Sequence, residues 1–136
     1  MYLAGTLAGM VRRYDFDIAI GALASQRLPS IDRPFPRFCI RCNGRCGRLR
    51  LAALFRGGAV AQFDPEGELM LMRRIRLPVS NPAMCAFGGQ DLDILYVISA
   101  SRFLAKSERR AQPLGGHVLA IEGLGARGVP QPRFGA

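Results

Sequence analysis

Cys39, Cys42 and Cys46 are the residues whose type and spacing most directly suggest chemistry. They spell C-x2-C-x3-C, and Cys85 supplies a fourth thiol. Thiolates at such spacings hold zinc or iron–sulfur clusters. A structural zinc site usually pairs two close-spaced ligand couples, and this chain has no second couple. His117 is its single histidine. The three clustered cysteines are therefore expected to be incidental, and Cys85 to be a core residue of a strand. Gly123, Gly125 and Gly128 spell G-x-G-x-x-G. A dinucleotide fingerprint must open a helix inside a βαβ unit. Val129-Pro130-Gln131-Pro132 follows instead, and two prolines there exclude that helix. Ser99 and Ser101 have no nearby His/Asp partners, so a serine hydrolase is not supported. His117 is expected at a strand surface or edge rather than as a general base.

Charge offers a second kind of chemistry. The formal net charge is +9, which invites a nucleic-acid reading. Residues 27–50 hold seven arginines (Arg27, Arg33, Arg37, Arg41, Arg45, Arg48, Arg50) against one acid, Asp32, for +6. The other 112 residues hold twelve bases and nine acids, for +3. The basicity belongs to one segment. It would bind polyanions through charge alone. Only Phe35 and Phe38 interleave with it as stacking residues, so no specific nucleic-acid partner is expected. Arg73, Arg74 and Arg76 are expected on an exposed strand face.

The elements that must position these groups read as strands. The clearest stretch is Arg76 to Ser101. Met84-Cys85-Ala86-Phe87 and Asp93 to Ser99 are two apolar, β-rich runs. Gly88, Gly89 and Asp91 form the turn between them. Pro78 and Pro82 hold Val79 and Asn81 extended. Upstream, Met1 to Ala4, Met10 to Asp17 and Ala22 to Leu28 read as three strands, with a turn at Gly21. Gly58 to Phe63 and Leu69 to Leu77 form a hairpin around Asp64-Pro65-Glu66-Gly67, the residue preferences of a type I turn. Arg102 to Pro113 reads as a polar connection, Gly116 to Ile121 as a last strand, and Gly123 to Ala136 as an irregular tail. Residues 29–56 lack either periodicity and are expected to be loop-like, with Leu49 to Phe55 as their one regular element. Helical patterns are almost absent. Strands every 8–20 residues, with turn chemistry between them, predict an antiparallel all-β sandwich, barrel or propeller.

Composition agrees with a folded domain. At 136 residues, 49% hydrophobic and 21% charged, the chain is long and apolar enough to bury a core. It has no apolar run of the roughly 20 residues a spanning helix needs, so no membrane partner is expected. The apolar N-terminus has no basic region before it, which makes a poor signal peptide and a cytoplasmic location the expectation.

Leu77-Pro78-Val79, Pro82, Cys85-Ala86-Phe87-Gly88-Gly89, Asp91-Leu92-Asp93 and Leu95-Tyr96-Val97 together resemble a stretch near the C-terminus of the senescence marker protein, regucalcin and gluconolactonase family. Gly57 to Gly67 resembles that family's G-G-x-V hairpin ending in F-D-P-D-G. Pro113 to Ile121 and Gly128 to Phe134 resemble its closing segments. Met1 to Ala4 and Val11 to Asp17 resemble two earlier strands. The resemblance covers nearly all of the chain except residues 29–56.

The resemblance implies a six-bladed β-propeller, of which this chain would be a C-terminal fragment spanning residues 1–136. It would hold about two and a half to three four-stranded antiparallel blades. It implies a Ca²⁺ or Zn²⁺ ion that polarises a sugar-lactone carbonyl while an acidic residue manages the proton. The chain departs from the family in length and in ligands. A full member is about twice as long, and a Glu and the Asn ligands belong to the missing half. The remaining Asp ligand belongs to a motif like F-P-D-G-M, which should fall at Phe35-Pro36. Arg37 follows Pro36, and no Asp occurs between Asp32 and Asp64. Gly5 stands where the earlier strand usually has Asp. No catalytic residue, metal ligand or cofactor-binding residue carries over, and the chain alone is expected to be an inactive piece of a lactonase that has not kept its metal.

Residues 29–56 fit a GC-rich reading frame lost and then restored: the family pattern holds before them and from Arg56 onward, and between them the chain is Arg- and Cys-rich with no β pattern. Translating the nucleotides of residues 34–56 in the other two frames should uncover a P-D-G-like motif. The rival reading is a non-enzymatic binding module that uses this Arg/Cys-rich segment for polyanions or metal. The family's last blade is closed by an N-terminal strand. Its absence leaves open sheet edges, which invite self-association.

Overall fold

Backbone pairing organises the chain as a series of antiparallel meanders. The computed structural model describes residues 2–5, 10–27, 39–46, 49–64 and 71–130. A first sheet holds β1 (Tyr2–Gly5), β2 (Met10–Asp17) and β3 (Ala22–Arg27), side by side in chain order. A second holds β4 (Cys39–Cys46), β5 (Leu49–Leu54), β6 (Ala59–Phe63) and β7 (Leu71–Arg76). A third holds β8 (Pro82–Gly88), β9 (Ile94–Ser99) and β10 (Val118–Ile121). All the pairings are antiparallel. The described residues are thus mostly β and antiparallel, the coarser part of the expectation.

Local chemistry accounts for the turns. The Asp17 carboxylate accepts from the backbone N–H of Ala19 at 2.8 Å and of Ile20 at 3.4 Å, and Gly21 adopts a φ of 66°. This Asx turn reverses the chain between β2 and β3. Gly89, at a φ of 86°, opens the turn between β8 and β9. Pro82 begins β8, where a missing N–H costs the ladder least. β6 and β7 pair as the expected hairpin, from Ala59↔Arg76 to Phe63↔Leu71. The proposed type I turn there lies outside the described residues beyond Asp64.

Two expectations are corrected. Residues 39–46 are a strand, not a loop. β4 pairs with β5 from Cys39↔Leu54 to Cys46↔Leu49. Between Ile40↔Ala53 and Gly44↔Leu51 the chain advances four residues on β4 against two on β5. That irregularity breaks the period of two by which a strand is read, while the backbone ladder on either side persists. The other correction lies within Arg102 to Pro113, which holds a short helix, α1 (Lys106–Ala111). The Glu108 carboxylate accepts from the Ala105 N–H at 2.7 Å at the helix start. Satisfying one orphan donor supports a single turn and a half that shows too little periodicity to be read.

The core lies between sheets. On β9, Leu95, Val97 and Ser99 are buried and alternate with Tyr96 and Ile98. Leu95, Val97 and Cys85 pack on Leu51 and Val60 of the second sheet. The opposite face of that sheet carries Ala52, Leu54, Ala59, Ala61 and Phe63, all buried. The two middle strands of the second sheet, β5 and β6, are thus covered on both faces. The first strands meet: β1 lies against β4, and β4 against β8. Sheets that touch along their first strands and diverge from there have the relation of neighbouring propeller blades.

Candidate functional site

Two of the groups singled out by type turn out to be structural. Cys85 is buried in the core between the second and third sheets. Ser99 is also buried, and its hydroxyl is committed to backbone. Its Oγ donates to the carbonyls of His117 at 2.8 Å and Leu114 at 3.2 Å, and accepts from the Gly116 N–H at 3.0 Å. This fastens the 114–117 turn to β9. Ser99→Ala leaves the Gly116 N–H without that acceptor, and the expected cost is about 1–3 kcal/mol. A shift of the urea midpoint at unchanged slope would measure it.

The remaining sequence candidates are scattered. His117 is exposed, immediately before β10. Cys39, Cys42 and Cys46 sit along β4. Among the described residues, no three His, Cys, Asp or Glu side chains gather into a group able to hold a metal. After the Gly123–Gly128 motif the described chain continues without a helix, and the Gly128 N–H donates to the Leu92 carbonyl at 2.7 Å. A side chain at Gly128 would collide with the Cβ of Phe87, so this glycine serves packing of the tail on β8. Arg73, Arg74 and Arg76 are exposed on β7, as expected. Arg73 donates to the Leu124 carbonyl at 3.1 Å and Arg74 to that of Gly57 at 2.9 Å. Of the Arg-rich run, Arg33, Arg37 and Arg48 lie outside the described residues, as do Phe35 and Pro36.

The most distinctive polar geometry lies where three loops meet, and it was not anticipated. Asn81 is 1% exposed. Its Nδ2 donates to the Arg102 carbonyl at 3.2 Å, and its own carbonyl accepts from the Ala100 N–H at 2.9 Å. Its Oδ1 is buried with no hydrogen-bond partner. Beside it, Arg56 donates to the Phe103 carbonyl at 2.7 Å, and the rings of Phe55 and Phe103 meet edge to face at 6.4 Å. Arg56 and Phe103 both hold positive φ, 61° and 68°, a conformation that costs non-glycine residues energy and survives only where surroundings enforce it. An open cleft of about 280 Å³ is lined by Gly58, Leu77, Pro78, Val79, Ser80 and Gln112. The Gln112 side chain accepts from the Ser80 N–H at 2.6 Å across it. The sequence signal was the Pro78-Val79-Ser80-Asn81-Pro82 run. It marked extended backbone but not which side chain turns inward.

Asn81 Oδ1 is a hard oxygen acceptor, the type of ligand Ca²⁺ takes. Calcium takes six to eight oxygens and zinc about four ligands. One amide oxygen with no carboxylate cluster among the described residues does not fit either ion.

A family model described as the SMP-30/Gluconolactonase/LRE-like region matches residues 1–101. The chain belongs to that family. Regucalcin from Danio rerio is 32% identical over 133 residues, covering 95% of this chain and 43% of the relative. Regucalcin from Oryctolagus cuniculus is 31% identical with the same coverage. Among solved structures, a luciferin-regenerating enzyme superposes with a TM-score of 0.78 at 25% identity, over 95% of this chain and 43% of that one. A calcium-binding regucalcin from Agrobacterium tumefaciens superposes with a TM-score of 0.73 at 21% identity, which supports the fold. The chain spans about 43% of the length of these SMP-30/gluconolactonase relatives. Among the described residues no helix is long and apolar enough to cross a membrane.

Proposed function

We propose that this chain is part of a lactonase-type hydrolase acting on sugar lactones, and that alone it does not turn them over. The observation that carries the reading is the family match over residues 1–101, combined with Arg37 after Pro36. The three sheets are read as blades of a partial ring. In a complete family ring a bound divalent ion would polarise the lactone carbonyl. The described residues of this chain do not fit such an ion, so no step is assigned to one.

What this chain's residues do is architectural. Leu95, Val97 and Cys85 hold the third sheet on the second, and Asn81 and Ser99 tie the loops at one end of it. The test is hydrolysis of glucono-δ-lactone followed in a pH-stat with millimolar Ca²⁺ or Zn²⁺. The expected rate equals the buffer rate, and the thermal midpoint by circular dichroism is expected to be indifferent to the ions. Metal-dependent turnover, or a midpoint raised by metal through mass action, would show that a site survives.

A further inference from the structure

Each glycine of the G-x-G-x-x-G motif has its own structural reason to be glycine. Gly123 and Gly125 adopt φ of 70° and 66°, and a Cβ on either would meet nothing within 4 Å. Their requirement is conformational, because a side chain is disfavoured at such φ. Gly128 has the opposite reason: a Cβ there would collide with Phe87. Leu124 lies between the first two glycines. It is half-buried and packs on the cluster of Leu51, Val60, Cys85, Leu95 and Val97 that joins the second and third sheets. Its carbonyl accepts from Arg73 of β7 at 3.1 Å. The Gly128 N–H donates to the Leu92 carbonyl at 2.7 Å, in the turn between β8 and β9. Leu92 itself holds a φ of 54°, a conformation that persists in a non-glycine residue where its surroundings enforce it.

We infer that residues 123–128 are a strap across the seam between the second and third sheets, and that the strap opens ahead of the sheets it joins. It touches the second sheet at Arg73, the third at Leu92 and Phe87, and the seam itself through Leu124. Its hold rests on that leucine, on the seat of Gly128 against Phe87 and on the hydrogen bonds to Arg73 and Leu92. β9, by contrast, is paired on both sides, by β8 and β10. Segments with few buried contacts open at lower free energy than paired core strands. Glycines at 123 and 125 let the strap leave and return by backbone rotation. Opening uncovers the part of the cluster that Leu124 packs on, so the strap sets how easily the third sheet leaves the second. This goes beyond the proposed hydrolase reading and holds whether or not that reading does.

The test is amide hydrogen exchange of the 136-residue chain, followed residue by residue by NMR. In the wild type the Gly128 amide is expected to be protected, yet to exchange faster than the amides of β9. Gly123→Ala and Gly125→Ala should each speed exchange at Gly128 by about tenfold, the scale of forcing a side chain into a left-handed φ. Gly123→Asn should speed it less, because asparagine tolerates that region. Leu124→Ala is expected to speed exchange in β8 and β9 as well as at Gly128, and to leave β2 and β3 unchanged. An unprotected Gly128 amide, or one as slow as β9, would overturn the inference. So would an asparagine as damaging as alanine at 123, or a Leu124→Ala effect confined to the strap or shared equally by all three sheets.

Discussion

Asn81→Asp is expected to destabilise the fold by about 3–5 kcal/mol above neutral pH, the loss that accompanies a buried uncompensated charge. The asparagine is 1% exposed and donates to the Arg102 carbonyl through Nδ2. An aspartate places a carboxylate oxygen in that donor's position, facing a carbonyl. Burial and the lost donor both disfavour the ionised form, so the carboxyl pKa is raised in the folded state above its unfolded value. The protonated acid retains an O–H with which to reach Arg102. Its contribution to stability is therefore greatest below the unfolded carboxyl pKa and is lost as pH rises through the folded one. Urea titrations of wild type and variant from acid to neutral pH should show the difference in stability growing with pH. A difference that shrinks with rising pH would mean that Asn81 is not buried as described.

Leu95→Ala is expected to cost about 2–5 kcal/mol, the range for emptying a buried leucine site. Leu95 is fully buried and packs with Leu51, Val60, Cys85 and Val97 across the junction of the second and third sheets. Total stabilities of single domains are about 5–15 kcal/mol, so this one change removes a large fraction. Leu51, Val60 and Val97 are held on strands paired on both sides, which limits relaxation into the void. A thermal melt should show a much lower midpoint, and Tyr96→Ala beside it should fall far less, because Tyr96 lies on the other face. Equal losses at 95 and 96 would contradict the assigned burial.

Much of the framework was legible because strands and turns are set by neighbouring residues. The β-branched and aromatic run before Ser99, the Gly88-Gly89 turn and the Asp17–Gly21 reversal each carry their reason within a few positions. The long motifs from Leu77 to Val97 carried the family as well. β4 was not legible, since its pairing irregularity between Ile40 and Gly44 cancels the alternation that reveals a strand. α1 was missed for a related reason: six residues stabilised by one Glu108 contact show no periodicity.

The site divides in the same way. Residue types and spacing gave no reason to expect a catalytic arrangement of Ser99, His117 or the cysteines, and the structure adds that the Ser99 hydroxyl bonds to backbone. Asn81 is different, because its burial depends on Arg102 and Ala100, about twenty positions away. The exposed face of the third sheet is the sharpest case. Leu95 and Val97 alternate with Tyr96 and Ile98, and both sets are apolar. The residues alone determined that β9 is a strand with two faces able to pack. Only the docking of Leu51 and Val60 decided which face is core, because hydrophobic attraction is non-directional and takes its direction from the neighbouring sheet.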